Sequence, residues 1–165
     1  LESFVNKETN RREFVKTAGL AGAGIIFATT TSTLLTGCAS ITYVSQATRI
    51  PKDAYTIVNN YVDVELAKVP ELSSVGGSAT IEDPDLENYL LIARTSQDEY
   101  TVVSSECTHR GKALGYDHEN NRFQCSSLGS SKFRLDGTVI EGPADKPLKV
   151  YNSFISQDLL MIEVG

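Results

Sequence analysis

Apolar residues in the last two thirds of this chain come in short runs, not long stripes. "TIVNNYVDVEL" alternates apolar and polar positions. "YLLIART" is followed by the polar break "SQDE" and then by "YTVVSS". Two short β-branched runs around such a break predict a hairpin. Further short runs follow at "NRFQCS", "KFRL", "GTVI", "LKVYNSFI" and "LLMIEVG", and Asp136-Gly137 marks a tight turn between two of them. No segment here sustains a 3.6-residue period with caps, as a helix would. Residues 55–165 are therefore expected to form an antiparallel all-β domain without internal repeats.

The first third follows another pattern. "NRREFVK", residues 10–16, precedes a stretch without charge from Thr17 to Thr48, within which "AGLAGAGIIFATTTSTLL" is mildly apolar. Arg11 and Arg12, a Phe two places on and the weakly hydrophobic stretch resemble a twin-arginine export signal. The stretch ends in "LLTGCAS", where Leu35-Thr36-Gly37-Cys38 is similar to a lipobox, the signal that makes a lipoprotein by acylating the cysteine. Uncleaved, the run is about long enough to cross a bilayer, which takes ~20 residues. Two fates follow: a lipid on Cys38, or a retained signal/membrane-anchor helix. Both place the rest of the chain on the periplasmic, extracytoplasmic face of the cytoplasmic membrane and tether it there. The expected organisation is address (1–38), polar linker (39–54) and β domain (55–165). The chain opens on Leu1 instead of methionine, so its first residues are expected to be missing or its start misassigned.

Composition narrows the partners. Fifteen basic residues against 21 acidic ones leave a net charge of −6, and no basic stripe interleaves with aromatics. Nucleic acid is not an expected partner.

Chemistry concentrates in "CTHRG", Cys107 to Gly111, directly after the strand "YTVVSS". It sets a thiol and an imidazole two residues apart on a Gly-ended turn, half of a metal site. The chain holds three cysteines and two histidines. The best candidate for the other half is "QCSSLGSSKF", which carries Cys125. Cys-x-His, a gap with a short hairpin, and a second Cys followed by Gly129-Ser130 resemble the Rieske iron–sulfur domain. The family pattern is Cys-x-His, a gap, then Cys-x-x-His-Gly-Ser. "FRLDGTVIEGPADKPLKVY" is similar to the family's tail, whose Pro-rich loop, here Gly142 to Pro147, packs against the cluster loops. The resemblance spans about Asp63 to Gly165.

That resemblance implies a Rieske-like antiparallel β-sandwich with a small cluster-binding subdomain, its loops at about residues 105–131. It also implies a 2Fe–2S cluster, with one iron on two thiolates, Cys107 and Cys125, and the other on two neutral imidazoles, the first of them His109. Imidazole ligation raises the potential into the range of about −150 to +300 mV. The second imidazole position holds Leu128, which has no lone pair, and a shift of one residue puts Gly129 there instead. Three of the four ligands are present. Candidates for a substitute are His118, in the turn "GYDHENN", the hydroxyls of Ser126 and Ser127, water, or a side chain of a partner subunit. His118 and the serines each read more simply as turn residues. Lys112 and Ser127 stand where respiratory Rieske subunits carry a loop-pinning disulfide.

Two consequences are expected if no cluster is held. Cys107 and Cys125 can pair as a disulfide in an oxidising compartment. Leu128 can pack into the space the cluster leaves, a burial worth about 1.5–3 kcal/mol. The expected function is a Rieske-type subunit of a membrane-associated, respiratory-type electron-transfer complex. Its site is degenerate: the cluster is absent or non-standard and the role partly structural. The alternative is a working 2Fe–2S carrier with a substitute fourth ligand, similar to the iron–sulfur subunit of quinol–cytochrome c reductases or the small subunit of periplasmic molybdenum oxidases. Partners in either case are the membrane and other subunits of a cytochrome or molybdenum-oxidase complex. No nucleophile–base pairing suggests an independent enzyme, and the chain has no room for the catalytic domain of the Rieske oxygenases. At most it is a non-catalytic subunit of an oxidoreductase.

Overall fold

Leu90–Ala93 is apolar at four consecutive positions, the mark of a strand covered on both faces. The structure, a computed structural model that describes residues 46–165 apart from Gly129, shows what covers it. Leu90–Arg94 forms β5, the middle strand of a five-stranded sheet. Its neighbours on one side are β4 (Ser78–Ile81) and then β1 (Thr48–Arg49); on the other they are β6 (Tyr100–Ser104) and then β11 (Val150–Tyr151). Leu90 and Ile92 enter one core, Leu91 and Ala93 a second. Val102 and Val103 of β6 divide in the same way.

The first core lies between this sheet and a four-stranded one. That second sheet runs β12 (Ser153–Ser156), β13 (Leu159–Glu163), β3 (Tyr61–Glu65), β2 (Tyr55–Val58). Alternation in "YVDVE" and "LLMIE" sends Val62, Val64, Leu160 and Ile162 inward. The third sheet is the small subdomain: β10 (Val139–Glu141), β9 (Lys132–Phe133), β8 (Arg122–Cys125), β7 (Leu114–Asp117). Its Leu114, Phe123 and Phe133 close the second core over Leu91 and Val103. The Asp136-Gly137 turn joins β9 to β10. Gly137 has φ +82°, and a Cβ there would come 2.6 Å from the Leu148 carbonyl oxygen, so glycine is required on both counts.

The β-sandwich and the hairpin of β5 and β6 match expectation. Two features differ. The compact unit starts before Tyr55: β1 joins the first sheet, and Ile50 and Ala54 are buried, so part of the stretch 39–54 is not linker. Also, β1 and β4 pair in parallel, while every other strand pair is antiparallel. The excursion through β2 and β3 supplies the long crossover that a parallel pair needs. Arg11, Arg12, Cys38 and the anchor helix lie outside the described residues. Among those described, no helix is long and apolar enough to cross a membrane.

Candidate metal centre

The two halves of the predicted site are loops at one end of the third sheet. The first is pinched at its base by a bridge between Glu106 and Ala113. Inside it the Cys107 N–H donates to Lys112 O (2.8 Å) and the Gly111 N–H to Cys107 O (2.8 Å). Gly111 has φ +62°, the left-handed conformation that lets the chain turn back so tightly. The second loop leaves β8 at Cys125, whose N–H donates to Ser131 O (2.9 Å) across the loop's mouth. The Ser126 N–H donates to Ala113 O (3.0 Å), tying one loop to the other.

The loop from Gly142 to Pro147 braces both. The Thr108 hydroxyl donates to Lys146 O (2.8 Å), and the Ala144 N–H donates to Ser131 Oγ (2.9 Å). These bonds tie both loops to the segment from Gly142 to Pro147. Ser131 is buried and sits at the centre of this bracing. Nothing in "CTHRG" or "CSSLGSS" marks Thr108 or Ser131 as a positioning residue: Thr108 directly follows Cys107, but Ser131 lies six residues past Cys125.

Cys107 and Cys125 meet inside, 2% and 4% exposed, as members of the second core. Burial pushes the Cys107 thiol up, against the His109 backbone N–H, and the adjacent Cys125 thiol adds to the rise. Cys125 Sγ also lies 3.0 Å from Ser127 Oγ. His109 is exposed at the tip of the first loop. Among the described residues, no three His, Cys, Asp or Glu side chains converge so as to hold a metal ion. The soft and imidazole donors of the two loops are the two thiols and His109; the Glu106 carboxylate stands at the base of the first loop, outside the two-thiolate, two-imidazole set.

Leu128 does not pack inward. It is 82% exposed, the most exposed of the large apolar side chains among the described residues, which corrects the expectation that it fills the space of a cluster. The reason is the Cys125–Ser131 bond, which closes the loop at its base and leaves residue 128 at the tip, while the two thiols occupy the inside. His118 is not near either loop. It sits in the turn at the far end of the β7–β8 hairpin from Cys125, its ring over Gly76 and 6.0 Å from the Tyr116 ring.

Comparison with known proteins agrees with this architecture. The model of the Rieske [2Fe-2S] domain matches residues 61–152. The cytochrome b6-f complex iron-sulfur subunit of Chlorobaculum thiosulfatiphilum is 37% identical over 62 residues, 38% of this chain and 34% of that one. Iron-sulfur subunit 1 of the same complex in Synechocystis is 30% identical over 74 residues, 45% of this chain and 41% of that one. The chain thus spans well under two thirds of these curated relatives. The ferredoxin of carbazole 1,9a-dioxygenase from Nocardioides aromaticivorans superposes with a TM-score of 0.50 at 16% identity, over 68% of this chain and 99% of that one, a likeness of fold alone. With a family match over more than half its length, and with Cys107, His109 and Cys125 on two loops braced as one unit, the chain belongs to the Rieske [2Fe-2S] domain family.

Proposed function

We propose that this chain is a Rieske-type subunit of a membrane-associated electron-transfer complex of respiratory type whose 2Fe–2S site is incomplete. The cluster is absent or non-standard, and the subunit's role is partly structural. Relatives named as subunits of cytochrome b6-f complexes support a membrane redox complex as the partner. One observation carries the rest: the fourth ligand position is Leu128, a side chain without a lone pair, exposed at the loop tip. Two thiols and one imidazole do not fit a cluster that takes two of each. Ser126 and Ser127 offer only neutral hydroxyls, and His118 is at the wrong end of its hairpin.

With no cluster, Cys107 and Cys125, free thiols in this structure and neighbours in the second core, give up two electrons and two protons to thiol oxidants outside the membrane and pair as a disulfide that staples the loops. The mass of non-reduced, alkylated protein reads this directly: neither thiol is labelled. Iron-free protein with both thiols labelled would sink the idea. Export through Arg11 and Arg12 and acylation of Cys38 on the extracytoplasmic face complete the reading. Cys38→Ala should abolish incorporation of labelled palmitate; unchanged labelling contradicts a lipid on that residue.

A second reading, a working carrier with a substitute ligand, is favoured by the intact bracing of both loops and the adjacency of the two thiols. EPR of the anaerobically purified, reduced full chain separates the two. Our reading predicts no Rieske signal at low g values, and a full-intensity signal overturns it.

A further inference from the structure

The two faces of the second sheet are unlike. Val62, Val64, Leu160 and Ile162 fill the first core, so the residues between them point away from it. Strand register arranges that outer face in rows. Thr56, Asp63, Met161 and Phe154 lie directly across from one another, and Val58 lies across from Tyr61. Val58 is 54% exposed, Phe154 50% and Tyr61 36%. The outward face is mixed: Val58, Tyr61, Met161 and Phe154 stand among Thr56, Asp63, Glu65 and Glu163.

Asp63 stands inside that face. Its Oδ1 is shut off from solvent and has no hydrogen-bond donor among the described residues. The neighbouring carboxylates are engaged: Glu65 pairs with Lys68 (2.9 Å), and Glu163 accepts from Asn152 Nδ2 (3.1 Å). A buried acceptor without a donor is rare in folded proteins, and a carboxylate oxygen is among the costliest to leave so. Exposed apolar surface around one orphan acceptor has the make-up of half an interface.

We propose that this outer face docks a protein segment that sets apolar side chains around one lysine or arginine, whose cation meets Asp63 Oδ1. Charge selects the occupant. A second copy using the same face would bring Asp63 and Glu163 with it, and the Lys68 cation beside them is already paired with Glu65. An anionic lipid surface is disfavoured by the same sign. Nothing in the proposal depends on whether the thiols hold a cluster.

The test places a photo-crosslinking p-benzoylphenylalanine at Val58, and separately at Phe154, in the full chain within the membranes of the cells that make it. Both positions should trap the same protein, and the trapped peptide should carry a lysine or arginine among apolar residues. Asp63→Lys should cut the adduct about tenfold or more, because opposing a charge at a buried pair is costly. Glu87→Lys, on an exposed side chain outside this sheet, should leave it unchanged. Asp63→Asn keeps the shape of the side chain; it should melt no lower than the parent and still weaken the adduct. Adduct yields indifferent to both Asp63 variants overturn the proposal. So do adducts only with a second copy, with lipid or with residues 1–45 of the same chain, or none from either position.

Discussion

Leu128 decides more about this protein than any other single residue. Its side chain lacks a donor atom, and its exposure means that nothing in the core depends on it. Leu128→His should therefore change stability by no more than about 0.5 kcal/mol, the ordinary range for surface substitutions. It also completes the donor set, so purified Leu128→His protein should hold more iron than the parent. Equal iron in the two would contradict Leu128 as the break in the donor set. Asp83 is a second informative residue. Lys52 pairs with it, the Asp85 N–H donates to its Oδ1 (3.0 Å) and the Tyr55 hydroxyl to its Oδ2 (2.7 Å). These contacts, Lys52 first, hold its carboxyl at about 2 against an ordinary 3.8. A carboxyl more acidic when folded stabilises the fold above its unfolded pKa and loses that contribution as pH falls through the folded one. Stability should thus decline between about pH 4 and pH 2, by about 1–2 kcal/mol given the exposed Lys52 partner. Asp83→Asn should flatten that decline; an unaltered pH profile of urea unfolding would contradict the assignment.

At the scale of elements, strands with strong alternation or dense apolar runs were legible. "YVDVE" and "LLMIE" alternate because one face meets the core, and "LLIA" runs unbroken because both faces do. β4 was hidden: its four residues follow Gly76-Gly77, and only the pairing with β5 makes "SATI" a strand. The two residues of β1 carry no period of their own, and their strand character comes wholly from β4. In the site, the spacing pointed to two loops carrying Cys107, His109 and Cys125, and the fold brings those loops together. The orientation of Leu128 could not be read from spacing, because it follows from backbone bonds that close the loop. The bracing loop gives a prediction at this scale. Ser131→Ala removes the acceptor of the Ala144 N–H and leaves that donor buried. The cost should be about 1–3 kcal/mol, with faster amide exchange at Ala144 and at Cys125. Exchange unchanged at both positions would show that Gly142–Pro147 is held by other contacts.

At the scale of the whole molecule, one sheet serves two cores. β5 and β6 send alternate side chains to the sandwich and to the small subdomain, so the loops carrying Cys107 and Cys125 rest on the strands that stabilise the rest of the domain. Phe123, fully buried in the second core, is the most direct probe of that coupling. Phe123→Ala should cost about 3–5 kcal/mol and shift one unfolding transition seen alike by near-UV and far-UV signals. Two separated transitions would mean that the subdomain unfolds on its own. The most direct measurement is the iron and acid-labile sulfide content of the full chain purified without air. An incomplete site predicts clearly less than the two irons and two sulfides per chain of a 2Fe–2S centre. About two of each, stable through purification, would contradict it and make this chain an electron carrier with a fourth ligand from outside the four expected positions.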